Sequence, residues 1–89
     1  MVTVRRVGDL IEVADGLYRL TGRVTYGPLY ALFRGWLHTI RGREVIVARK
    51  WRATGQLVMA ADLQAEEREQ VERMVTQAIR GWETEGGSR

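Results

Sequence analysis

Residues 30–55, YALFRGWLHTIRGREVIVARKWRATG, set aromatic rings among cations at a spacing that could do chemistry. In an extended chain alternate side chains face opposite ways. Tyr30, Leu32, Arg34, Trp36 and His38 then share one side, with Leu29, Ala31, Phe33 and Leu37 on the other. Arg43, Val45, Val47, Arg49 and Trp51 likewise oppose Glu44, Ile46, Ala48, Lys50 and Arg52. The Tyr30–His38 set is too aromatic for an ordinary wet face and too charged for a core, and in the second run cations invade both sides at the C-terminal end. Guanidinium groups grip phosphate bidentately and stack on flat rings. Exposed rings accept unstacked nucleobases, each worth ~1–3 kcal/mol. Cations and rings together therefore favour single-stranded nucleic acid over duplex, whose base faces are hidden.

Other chemistries find little support. There is no nucleophile elbow, phosphate loop or metal-binding histidine pair. The chain has one histidine, His38, and no cysteine, so disulfides and thiolate metal sites are excluded. A nuclease would need clustered carboxylates for metal ions beside the basic surface, and Glu44 stands alone there. The expectation is a non-enzyme without metal or cofactor.

The charge is uneven. Of 89 residues with a formal charge of +3, residues 1–56 carry ten cations against four acids, a net of +6, and residues 57–89 a net of −3. A basic front and an acidic back imply that the front meets a polyanion. Thirteen of the fourteen cations are arginine. No run approaches the ~18 apolar residues of a membrane span, and MVTVRRVGD lacks a signal-peptide apolar run. A soluble, intracellular, nucleoid-associated protein of the cytoplasm is expected. Arginine preference without cysteine also suits a heat-adapted protein.

The elements that must position these residues are punctuated by Gly8-Asp9, Asp15-Gly16, Gly27-Pro28, Arg41-Gly42 and Thr54-Gly55. Such pairs favour tight hairpin turns. Strands are predicted near 2–7, 10–14, 17–26, 29–40, 43–52 and 56–61, the first two being either separate or one bulged strand. Tyr18, Leu20, Val24 and Tyr26 read as buried, and Arg19, Thr21, Arg23 and Thr25 as exposed. Beyond Ala61, Asp62 is the expected N-cap of a long helix. Leu63, Val71, Met74, Val75, Ala78, Ile79 and Trp82 make its apolar stripe. The fold class is α+β: an antiparallel meander of four to six short strands, then one C-terminal amphipathic helix. Residues 1–84 form one domain, and 85–89 are expected to fray.

The stripe is longer than one small sheet needs. Its second half, Met74, Val75, Ala78, Ile79 and Trp82, is therefore expected to pair with a partner copy in a homodimer or higher oligomer. The other possibility is a helix lying wholly on its own sheet. Trp36 and Trp51 likewise read either as binding surface or as core and subunit contact.

This layout resembles the ThermoDBP family of single-stranded DNA-binding proteins from hyperthermophilic archaea, and their shorter relatives. It is also similar to the four-strand-plus-helix unit of positive-cofactor-type and Whirly-type binders. The likeness is carried by YRLTGRVTYGPLYALFRGWLHTIRGREVIVARKWRATG and the helix DLQAEEREQVERMVTQAIRGWE, about residues 17–83. It implies sequence-independent single-strand binding by a dimer or larger assembly, with Trp36, Arg34, Tyr30, Arg49 and Trp51 foremost. The N-terminal MVTVRRVGDLIEV has no counterpart in the simplest four-strand unit.

The expected function is sequence-independent single-stranded DNA binding on the basic sheet face or in an intersubunit groove. Arg19, Arg23, Arg34, Arg43, Arg49, Lys50 and Arg52 are assigned to phosphates, and Tyr30, Trp36 and Trp51 to bases. The alternatives are an RNA- or duplex-binding chromatin module, and a homodimeric adaptor whose exposed rings meet protein.

Overall fold

The computed structural model describes residues 1–61 and 63–86. Six strands, β1 (Val2–Val7), β2 (Leu10–Asp15), β3 (Tyr18–Tyr26), β4 (Tyr30–Thr39), β5 (Gly42–Trp51) and β6 (Leu57–Ala60), precede one helix, α1 (Ala65–Gly86). The strands pair in chain order as a single antiparallel meander. Short loops between alternating runs leave antiparallel neighbours as the only reachable partners. The α+β class follows as expected.

The N-terminal segment is two strands, not one bulged strand. Gly8 takes a positive φ of 63° and makes a two-residue turn with Asp9, placing Val7 opposite Leu10. This hairpin is integral to the core, since α1 lies chiefly against β2 and β1. A Cβ on helical Gly81 would stand 2.6 Å from a Val4 methyl, so glycine there lets β1 approach the helix closely.

One sheet face and the helix stripe close a dry core. Ile11, Leu20, Phe33, Leu37, Ile46 and Ala48 meet Val71, Met74, Val75, Ala78 and Ile79, all essentially inaccessible. Each large aliphatic side chain so buried contributes about 1.5–3 kcal/mol. In mid-sheet Gly22 faces Gly35 across β3 and β4. A Cβ on Gly35 would lie 2.1 Å from the Thr21 carbonyl oxygen, and one on Gly22 would meet the Phe33 ring at 2.7 Å. The glycine pair thus permits a close strand approach and lets Phe33 lie across the gap.

Four expectations at element boundaries change. Leu29 belongs to the β3–β4 turn and is 65% exposed, because the β4 ladder begins only at Tyr30. Tyr26 is also half exposed at its strand end, where its hydroxyl donates to the Ile79 carbonyl. The helix starts at Ala65, with the Arg68 amide donating to the Gln64 carbonyl and the Arg68 guanidinium to the Ala61 carbonyl. The expected N-cap, Asp62, lies outside the described residues. The helix continues through residues 85 and 86, where fraying was expected, and 87–89 lie outside the described residues.

The helix stripe is the largest correction. Met74, Val75, Ala78 and Ile79, expected at a contact between copies, are buried against the chain's own sheet. Trp82 packs on the same core beneath the Arg6 guanidinium, 3.7 Å from its ring centroid. The stripe is consumed because the sheet has six strands: the β1–β2 hairpin supplies Val4, Ile11 and Val13 to meet the helix. Among the described residues no helix is long and apolar enough to cross a membrane.

Candidate nucleic-acid interface

The second face of the sheet carries no helix. Its central line is β4, whose Tyr30, Leu32, Arg34, Trp36 and His38 alternate with core residues, as their spacing predicts. Strand register sets their neighbours. Arg19, His38 and Arg43 form one cross-strand row; Thr21, Trp36 and Val45 the next; then Arg23, Arg34 and Val47; then Thr25, Leu32 and Arg49; and last Tyr30 with Trp51. Successive rows lie ~6.8 Å apart along the strands, and neighbouring strands ~4.8 Å apart.

Rings and cations are in contact on this face. The Tyr30 and Trp51 rings meet edge to face, with centroids 5.0 Å apart. The Arg49 guanidinium stands 5.4 Å from the Tyr30 centroid and that of Arg43 5.7 Å from the Trp36 centroid, both within cation–π range. Trp36 is 42% exposed. A large indole left this open in a small domain still presents part of its ring to solvent.

Acids are few here. Glu12 pairs with Arg5 at 3.0 Å and Asp9 with Arg23 at 2.9 Å. Among the described residues no carboxylate pairs with Arg19, Arg34, Arg43 or Arg49. The face is thus a cationic band with rings set in it. Glu44, the acid in the midst of the basic run, falls opposite Leu37 on the other side of the sheet.

Of the ten residues assigned to nucleic acid, eight come together on this face: Arg19, Arg23, Tyr30, Arg34, Trp36, Arg43, Arg49 and Trp51. Lys50 and Arg52 do not. Lys50 alternates to the helix side, opposite Ala31 and Leu57. Arg52 lies beyond β5, where its amide donates to the Leu29 carbonyl and its guanidinium to the Gly27 carbonyl. It braces a turn. The exposed Val45 and Val58 were not singled out from sequence; alternation places both on this face, Val58 through its pairing with Arg49.

A cavity of about 430 Å³ lies elsewhere, between the β4–β5 turn and the helix start, lined by Leu37, Arg41, Glu44, Leu63 and Glu67. Arg41 and Glu67 pair with each other there, and the Tyr18 hydroxyl donates to the same carboxylate. Arg41 and Glu67 satisfy each other and Glu44 adds a further carboxylate, so the cavity offers less to an anion than the open face. No group of three or more histidine or acidic side chains placed to hold a metal ion occurs among the described residues.

The fold and this face define a helix-backed antiparallel sheet with one uncovered basic, aromatic surface. Compared with known protein families, curated proteins and solved structures, the chain matches none.

Proposed function

We propose that this protein binds single-stranded nucleic acid, without sequence preference and without catalysis, on the uncovered face of its sheet. The observation that supports this most directly is the row pattern: guanidinium groups lacking carboxylate partners alternate with accessible rings along β4. Phosphates satisfy the guanidinium groups, and bases lie on Trp36 and the Tyr30–Trp51 pair. Single-stranded DNA is the reading carried forward, with RNA as its near alternative. The likeness to ThermoDBP-type binders is one of strand layout and surface chemistry.

A protein partner is the second reading, favoured by Val45 at 62% and Val58 at 46% exposure on the same face. Apolar surface of this kind also covers interfaces. A second copy placed face to face would set arginines against arginines, so the basic band disfavours self-association through it.

The test is tryptophan fluorescence during titration with a single-stranded oligonucleotide, its duplex and its RNA analogue, at low and moderate salt. Strong quenching by the single strand, weaker by duplex and reduced by salt, is expected. Absence of any change at low salt would remove the stacking model and turn attention to a protein partner.

A further inference from the structure

Beside the last row of the open face lies an apolar pocket of about 390 Å³, walled by Thr25, Pro28, Leu29, Tyr30 and Leu32. Its walls are held in place. Gly27 donates its amide to the Tyr30 carbonyl, and Arg52 ties the Gly27 and Leu29 carbonyls to the end of β5. Tyr30 belongs both to this pocket and to the ring pair, and Arg49 stands over it. The pocket thus continues the cationic band past its Tyr30 end. A cavity of about 310 Å³ also lies at the opposite end, past the Arg19–His38–Arg43 row, but the Glu67 carboxylate and its partner Arg41 line it, so it suits a strand end less.

Direction follows from dimensions. The five rows from His38 to Tyr30 extend ~27 Å along β4, whereas β3 to β5 is only ~10 Å wide. One extended polyanion touching Arg19 or Arg43, then Arg23 and Arg34, then Arg49 has to run with the strands. We propose that a single nucleic-acid strand lies along β4 and that the base at one end of the bound segment enters the pocket of the β3–β4 turn. This rests on the single-strand reading above. An unstacked base is a flat, largely apolar plate, which suits a mostly apolar wall with a guanidinium within reach of its phosphate. Arg52 is then a positioning residue that shapes the pocket without touching phosphate.

Two titrations test this, using deoxythymidine oligonucleotides of two to ten residues and hexamers with one abasic residue at the 5′ or 3′ end. Affinity should climb to about five nucleotides, one per row, and then level off. An abasic residue at one end should weaken binding about five-fold or more, and at the other end much less. Leu29→Ser, at an exposed site that leaves the core intact, should abolish that asymmetry while longer strands still bind. Equal penalties at the two ends, or an asymmetry that survives Leu29→Ser, would overturn the pocket while leaving single-strand binding standing. Failure of every oligonucleotide to bind would remove both.

Discussion

Arg23 on β3 stands directly opposite Arg34 on β4, in the middle of the uncovered sheet face. Like charges so placed destabilise a sheet, and Asp9 at the β1–β2 turn compensates only Arg23, at 2.9 Å. Such an arrangement costs the free protein stability and is relieved when an anion lies between the two guanidinium groups. Replacing Arg34 by Thr should therefore raise stability by about 0.2–1 kcal/mol in denaturant melts. The same substitution should weaken oligonucleotide binding and flatten its log–log salt dependence by about 0.7. A variant less stable than the parent would contradict the repulsion.

Trp36 lies in the row between the two arginine rows, exposed and within cation–π range of Arg43. Trp36→Ala should lower single-strand affinity by about 1–3 kcal/mol and remove much of the fluorescence quenching, with little change in melting. A loss of stability exceeding the loss of affinity would assign the indole to the fold.

The helix stripe makes an independent prediction about assembly. Met74 is fully buried within one chain, so Met74→Ala should cost about 2–5 kcal/mol of stability. Met74→Glu should fail to fold, because it buries an unpaired charge. A folded, dissociated monomer from Met74→Glu would restore the intersubunit role.

Gly35→Ala tests the glycine pair. Its Cβ would meet the Thr21 carbonyl oxygen at 2.1 Å, with the Gly22 Cα at 2.6 Å. Backbone cannot yield as a flexible side chain does, so a loss of about 2–3 kcal/mol is expected in urea melts. A neutral outcome would mean that the sheet relaxes at this crossing.

Tyr26 gives a pH signature. Burial first, and then the Glu83 carboxylate, push its hydroxyl from 10.0 up to about 12, against a smaller opposing pull from Arg52. The folded protein thus holds this proton more tightly than the unfolded chain. Its contribution is fully present below pH 10.0 and is lost as pH rises towards about 12. Stability melts from pH 9 to 12 should show that decline, and Tyr26→Phe should flatten it. A Tyr26→Phe profile identical to the parent's would exclude the tyrosine as its source.

Much of this was legible from local pattern. Alternation along 30–38 and 43–51 sorts side chains between faces wherever the chain is extended, because the period of two is a property of the backbone. Hairpin order followed from the spacing of Gly8, Gly16, Gly27 and Gly42, and the helix from its apolar stripe. Only the tertiary structure decided which surfaces are covered. Whether Met74 to Trp82 meets a partner or its own sheet depends on the width of that sheet, and hence on β1 and β2 pairing far from the helix in sequence. Alternation alone puts Lys50 on the helix side, whereas the fate of Arg52 turned on the residue at which β5 ends and the turn it braces. Burial is a sum over distant segments, and periodicity within one segment carries no term for it.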